Sequence, residues 1–218
     1  MRYLTVSEVK QFYDAWGLKQ DNPSVYESEA LKTIVDHGQW ASAGKVFELG
    51  AGTGNLAQRL LDSHLPTDAH YTIWEVSETM LKLCANRLRQ FGDRVVLHQS
   101  KGDLPTWHDA QYDRIIANFV LDIFSLQQIQ QFFAFAHANL MTGGLLCISN
   151  LSNGTKVQSR MRSLWWRLGY QISPQKFGGC RPIDLVGVYD QTQWHRQFYK
   201  IIESGWKLPT EVLVLARR

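Results

Sequence analysis

No stretch of this sequence is apolar for long enough to span a bilayer, and its first turns carry Glu8, Lys10 and Asp14 where a secretory leader would need an apolar run. Neither a membrane span nor a leader is therefore expected. Cysteine is scarce. Cys84, Cys147 and Cys180 are odd in number and far apart, which suits neither a disulfide framework nor a spaced zinc site, so a reducing cytoplasm is the expected compartment. Charge of one sign is also nearly lacking: 23 Lys and Arg against 20 Asp and Glu leave a net charge of +3, too little to imply a nucleic-acid or membrane partner without a localised basic patch. The segment holding Lys156, Arg160, Arg162 and Arg167 is locally basic and reads as a solvated helix face rather than a phosphate-binding surface. Histidine and cysteine form no spaced ligand cluster, so no metal is expected, and there are neither repeats nor low-complexity tracts.

What is present is an alternation of two periods. At 218 residues the chain suits a single α/β domain. Residues 1–44 read as two helical stretches broken at Asn22-Pro23, the second from Tyr26 to His37 with Ala30, Leu31, Ile34 and Val35 on one face. From Lys45 short β-type runs alternate with helical patterns: strands at 46–49, 71–75, 95–99, 114–118 and 145–149, helices at 55–63, 78–90 and 126–140. Such alternation, apolar on both flanks, predicts a parallel sheet covered on both faces. Beyond residue 150 the pattern changes. A helix is expected over 154–169, where Val157, Met161, Leu164, Trp165 and Leu168 recur at helical steps, and a short one from Arg181-Pro182 through Tyr189. The tail, Trp194–Ile202 and Glu211–Ala216, reads as an antiparallel hairpin joining the sheet, although Gln193 to Glu203 also fits a helix. The organisation expected is one domain over 1–218: a helical lid at 1–44, a core at 45–150, a helical insertion at 151–190 and terminal strands at 191–218.

In "KVFELGAGTGNLAQRLL" a strand ends near Glu48, a glycine-rich turn follows, and a helix begins near Asn55. Glycines at alternate positions let a ligand lie against the main chain at a helix N-terminus. The spacing is GxGxG. A dinucleotide loop of the GxGxxG kind would want its third glycine at position 55, where this chain has Asn55. The second strand ends in Glu75, about twenty residues after the glycines, where a carboxylate can accept both hydroxyls of a ribose; it could otherwise cap the helix that starts near Ser77.

Together, strand-Glu48-Leu49-Gly50-Ala51-Gly52-Thr53-Gly54, then Glu75-Val76-Ser77 with Met80, then "YDRIIANFVLD" and "LMTGGLLCIS" resemble the class I S-adenosylmethionine-dependent methyltransferases over about residues 45–150. The resemblance implies a three-layer Rossmann-like sandwich with a mostly parallel seven-stranded sheet and an antiparallel C-terminal hairpin. It implies S-adenosylmethionine as cofactor and S-adenosylhomocysteine as product. By position, Gly50, Ala51, Gly52 and Gly54, with Asn55, would run beneath the methionine and ribose, Glu48 would help hold the ammonium group, and Glu75 would take the ribose. Val76, Ser77 and Met80 would lie near the adenine, as would Ser100 or Asp103, between which the sequence does not choose. Asn118 and Phe119 would line the sulfonium and acceptor side.

Methyl transfer from a sulfonium is an in-line displacement on an activated electrophile, so alignment, water exclusion and at times a base are what a protein must add. Tyr13 and Tyr26 stand where related enzymes carry a lid, and their rings could close over the sulfonium; equally, Phe12 and Tyr13 could be the apolar face of a helix. Tyr13, His195 or His98 could serve as a base. Arg181 could grip an acceptor's carboxylate or phosphate, or pair with Asp184. Trp165 and Trp166 could floor an acceptor pocket or lie in the core. The fourth strand ends Asn118-Phe119-Val120-Leu121 and not in the Asn/Asp-Pro-Pro-aromatic sequence of enzymes that methylate DNA or protein glutamine. A compact domain with a lid and a post-sheet insertion resembles the small-molecule methyltransferases, which implies a small-molecule acceptor. Two other readings share the glycine loop: a nicotinamide-dependent oxidoreductase, and a silent S-adenosylmethionine-binding regulatory protein.

Overall fold

The architecture was analysed in a computed structural model that describes residues 2–21, 25–107, 111–203 and 207–218, with backbone alone at 25–27. Seven strands form one sheet: β1 (Lys45–Leu49), β2 (His70–Glu75), β3 (Val95–Gln99), β4 (Tyr112–Asn118), β5 (Leu140–Leu151), β6 (Trp194–Ile202) and β7 (Thr210–Arg217), in the order β3-β2-β1-β4-β5-β7-β6. The first five are mutually parallel, and β7 runs antiparallel between β5 and β6. The hairpin expected at the tail is thus present, and the helical alternative for 193–203 is not. Residues 204–206, where the sequence suggests a turn, lie outside the described residues.

The pleat sorts side chains to two cores. Val46, Tyr71, Ile73, Ile116, Cys147 and Val214 face one side, where α2 (Val25–His37), α3 (Asn55–Ser63) and α4 (Glu78–Leu88) cover them. Phe47, Leu49, Ile115, Ile148 and Leu213 face the other, against α5 (Leu126–Asn139) and residues 185–189. Period-2 alternation on strands buried on both faces gives this three-layer sandwich. Local signals set the helix starts: Ser77 accepts from the Met80 amide, and Ser125 forms a capping box with Gln128. The remaining helices are α1 (Val6–Trp16), opened by a Thr5-Glu8 capping box, and α6 (Val157–Ile172).

One sequence expectation fails here. Residues 181–189 are not a helix. Three of their amides are claimed from outside the segment, Arg181 by the Asp122 carbonyl at 3.1 Å, Ile183 by the Leu151 carbonyl at 2.8 Å and Leu185 by Glu211 at 3.0 Å, and the Val188 amide closes only a turn onto the Leu185 carbonyl at 2.9 Å. The helix expected beyond residue 150 is present as α6, with Val157, Met161, Leu164, Trp165 and Leu168 facing outward and Ser159, Ser163 and Tyr170 buried.

The chain order reverses between β1 and β4, and the C-terminal ends of these strands open onto a crevice at that switch point, where doubly wound sheets bind ligands.

Candidate functional site

The glycine loop carries its residues in conformations that demand glycine. Gly50, Gly52 and Gly54 have φ of 68°, 56° and 79°. At Gly50 a Cβ would also stand 2.8 Å from a Val120 methyl, so the loop can pass this close to the β4 end only without a side chain. Gly54 is the N-cap of α3, where a Cβ would stand 2.7 Å from Cys84 Sγ, whereas a Cβ at Gly52 would meet only Gln20, at 3.7 Å.

Two adjoining cavities, of about 610 and 190 Å³, share Gln20, Gly50, Gly52, Asn118 and Phe119 as walls. Along one side of the larger run Trp74, Glu75, Val76, Met80, Ser100 and Asp103. Its other end is closed by Phe12, Tyr13, Val120, Phe124, Trp166, Phe177 and Cys180. Glu48, Ala51 and Asn55 line the smaller. Most of the residues expected from the sequence therefore converge on one crevice.

Glu75 is buried, and its two carboxylate oxygens accept the Gly52 amide at 3.0 Å and the Ser77 amide at 2.8 Å. Burial raises its pKa against the pull of those amides. Glu48 is buried too and accepts the Tyr71 hydroxyl at 2.7 Å; burial pushes it up to about 7, and the nearby charge of Glu75 adds to the effect. Among the described residues neither carboxyl is paired with a cation. Ser100 and Asp103 sit on one tight turn, the Ser100 hydroxyl donating to the Asp103 carbonyl at 3.0 Å, and both line the cavity.

Phe119 holds φ 53°, a left-handed conformation that a bulky residue adopts only under constraint. Its amide bonds to the Ser149 carbonyl at 2.8 Å, and the Ser149 hydroxyl is hydrogen-bonded to Asn118 Oδ1, so β5 holds the end of β4 in place.

The N-terminal segment is fastened across the crevice. Asp14 accepts Lys10 Nζ at 2.7 Å, the Ser77 hydroxyl at 2.6 Å and the Thr79 amide at 3.1 Å. Burial pushes its carboxyl up, but these bonds outweigh it and hold the pKa at about 2. Farther along, Asp21 accepts Arg87 at 2.6 Å and the Thr53 hydroxyl at 2.6 Å, tying the segment to the glycine loop. Sequence reasoning missed Asp14, Asp21 and Arg87 as fasteners, because their partners lie more than thirty residues away and no local pattern announces them.

Other expected residues fall elsewhere. Ser77 is wholly buried, engaged as a helix cap and with Asp14, and Gly54 lines neither cavity. Arg181 neither lines the cavity nor meets Asp184. Its guanidinium donates to the carbonyls of Asp122, at 2.7 Å, and Phe124, and lies over the Tyr3 ring. Asp184 instead accepts from Ser152 and Asn153. Trp165 is exposed to solvent, and its neighbour Trp166 is the one that walls the cavity, because the buried face of α6 is the opposite one. His195 is exposed on the edge strand β6, away from the crevice, and His98 packs against Trp74 and Trp107 outside it. Tyr13 does line the cavity, with its hydroxyl 3.5 Å from Cys180 Sγ, and burial raises its pKa well above the usual phenol value. The Tyr26 side chain lies outside the described residues.

Residues 47–146 match the sequence profile of a methyltransferase-domain family. These residues carry a methyltransferase domain. No curated protein matches the chain. Among solved structures, the domain resembles an O-methyltransferase family protein from Burkholderia thailandensis (TM-score 0.63, 16% identity, 87% of this chain and 55% of that one). The chain thus spans about half the length of that relative. It also resembles the magnesium protoporphyrin IX methyltransferase of Synechocystis with bound SAH (TM-score 0.61, 14% identity, 89% and 82%) and the [4+2]-cyclase SpnF (TM-score 0.66, 13% identity, 100% and 98%). At these identities the likeness of the methyltransferase domain to its neighbours is one of fold. Among the described residues no helix is long and apolar enough to cross a membrane, and no group of three His, Cys, Asp or Glu is placed to hold a metal ion.

Proposed function

We propose that this chain transfers a methyl group from S-adenosylmethionine to O, N or C of a small, largely apolar acceptor. One observation carries the reading: the larger cavity runs without a break from buried Glu75, beside the glycine loop, past Asn118 and Phe119, to an aromatic end at Phe124, Trp166 and Phe177. The residues present fit the cofactor. Gly50 and Gly52 offer bare main chain, Glu75 a buried acceptor for ribose hydroxyls, and Glu48 a carboxyl that an ammonium group would ionise. Val76, Met80 and Leu104 would flank the adenine, with Ser100 and Asp103 at its edge. When bound, S-adenosylmethionine supplies its methyl group as an electrophile already activated by the sulfonium.

The chain's own part is then alignment and exclusion of water. Phe12, Tyr13 and Trp16 of α1, held down by Asp14, act as a lid whose rings cover the transfer point and favour a cation beneath them. Phe119, fixed by Ser149, sets the boundary between donor and acceptor. Tyr13 keeps its proton at neutral pH, because its pKa is raised, so an acceptor that brings its own nucleophilic form suits this cavity best.

The test is incubation with methyl-labelled S-adenosylmethionine and fractionated metabolites, followed by mass identification of the labelled product. Formation of S-adenosylhomocysteine together with a labelled apolar product is expected. Tight cofactor binding without any turnover would instead favour a silent or non-methylating protein, a reading given some weight by the cyclase that shares this fold. Preference for a nicotinamide dinucleotide would sink both; the antiparallel hairpin and the GxGxG spacing speak against it.

A further inference from the structure

Helix α6 turns its apolar side to solvent. Val157, Met161, Leu164, Trp165, Leu168 and Ile172 are 74%, 55%, 56%, 71%, 43% and 86% exposed. At a helical step they fall within an arc of about 100°, a continuous stripe and not scattered single residues. The helix's polar and small residues hold it to the protein. Ser163 bonds to the Ser152 carbonyl at 2.9 Å, Tyr170 to the Arg2 carbonyl at 2.9 Å, and Trp166 to the Cys180 carbonyl at 2.9 Å. The outward stripe therefore contributes nothing to the core, and its exposure carries a cost in water that some occupant must offset.

Charge identifies the occupant. Arg160 and Arg167 border the stripe on one side and Arg162 on the other, with Lys156 at its start. Arg162 is bonded to Ser159 and Arg167 to Asn153, both neutral partners. From Ile123 to Ile183 the sequence contains no Asp or Glu but carries Lys156, Arg160, Arg162, Arg167, Lys176 and Arg181. In a protein with a net charge of only +3, that is a marked segregation of positive charge around an apolar strip.

We propose that the outward face of α6 seats the protein on an anionic lipid surface. An apolar stripe bearing Trp and Leu, bordered by arginines, suits a helix lying in the plane of the headgroup boundary, where the side chains enter the acyl region and the guanidiniums meet phosphates. A second copy of the chain fits less well, since a two-fold contact through this helix would bring Arg160, Arg162 and Arg167 toward their own copies, with no carboxylate on the helix to meet them. The seat also has a use. Trp166, on the inner face of the same helix, walls the larger cavity, so docking brings that wall to the lipid boundary, from which an apolar molecule could enter. The proposal does not depend on the methyl-transfer reading.

The experiment is flotation of the full chain with vesicles of phosphatidylcholine alone or mixed with phosphatidylglycerol, at low and raised salt. The wild-type protein is expected to float with the phosphatidylglycerol vesicles at least about tenfold more than with phosphatidylcholine alone, and to be released by salt. Trp165→Glu with Leu168→Glu, and separately Arg160→Glu with Arg167→Glu, should each lower flotation by about tenfold or more. Because these side chains are exposed, both variants should keep the wild-type melting temperature and cofactor affinity. Equal recovery with both vesicle types, or flotation that neither variant changes, overturns the proposal. So does a wild-type dimer by light scattering that Trp165→Glu turns into a monomer, which would make this face a contact between copies. Cofactor affinity and methyl transfer are measured apart from flotation, so failure here leaves the functional reading untouched, and the converse holds.

Discussion

The two ends of the larger cavity are built differently. At the glycine-loop end, Gly50, Gly52, Glu75, Val76 and Met80 come from two consecutive strand-to-helix turns within about thirty residues. At the aromatic end, Phe12 and Tyr13 of α1, Val120 and Phe124 after β4, and Trp166, Phe177 and Cys180 of the insertion meet from three distant parts of the chain. The first end is main chain and buried carboxylate, where few side chains would serve. The second is side-chain surface, which can be reshaped without disturbing the sheet. A constant chemistry at one end and a variable acceptor at the other is what such a division permits.

The largest effect that would break this contrast belongs to Gly52. Its Cβ position is open, with Gln20 no nearer than 3.7 Å, but its φ is 56° and its main chain walls both cavities. Gly52→Val should leave a folded protein and cost S-adenosylmethionine binding about 100-fold or more, through strain and intrusion together. Calorimetry that finds unchanged affinity would remove the cofactor from this end of the cavity. Next comes Glu75→Ala, expected to weaken cofactor binding by about 2 to 3 kcal/mol, the usual scale for hydrogen bonds to a charged group. Since the Gly52 and Ser77 amides would lose their acceptor as well, Glu75→Gln is the sharper control: it keeps an acceptor for one amide while removing the charge.

A smaller effect appears in pH dependence. The folded-state pKa of Glu48 is about 7 against an ordinary 4.5, so the unfolded chain gives up this proton first. Its contribution to the stability of the ligand-free protein is complete below about pH 4.5 and is lost as pH rises through about 7, at up to about 1 kcal/mol per unit in between. Melting temperature measured between pH 5 and 7 should therefore carry a downward component that Glu48→Gln removes. Identical slopes in the two proteins would mean that the Glu48 carboxyl is already ionised in the fold.

The same contrast explains what the sequence could tell. Strand and helix positions through residue 150, the glycine turn and Glu75 were legible because each rests on a local pattern: period 2, period 3.6, or a turn that needs glycine. Trp165 and Arg181 misled for one reason. Period shows that α6 is a helix but not which face is buried, and an arginine after two glycines gives no hint that the carbonyls of Asp122 and Phe124 will surround it. The fasteners were invisible, since the bonds of Asp14 to Ser77 and Thr79 and of Asp21 to Arg87 and Thr53 join distant parts of the chain and leave no mark on either neighbourhood.

Tyr13 provides the smallest expected effect and the finest test of the acceptor end. It was a candidate both for a lid ring and for a base, and the two roles call for different parts of the side chain. A base must shed its proton near neutral pH, whereas burial raises this phenol, and its hydroxyl faces Cys180 Sγ at 3.5 Å, a weak partner that does little to draw the proton away. The ring, packed edge-on against Phe12 at 5.2 Å, is what α1 presents to the cavity. Tyr13→Phe should accordingly keep turnover within about threefold and leave the pH profile unmoved, because it removes the oxygen and keeps the ring. Tyr13→Ala should raise the acceptor KM more than it lowers kcat, while cofactor affinity, which depends on the other end, changes little. If Tyr13→Phe instead abolishes turnover and shifts the pH profile, the hydroxyl takes part in proton transfer, and the aromatic end supplies chemistry as well as shape.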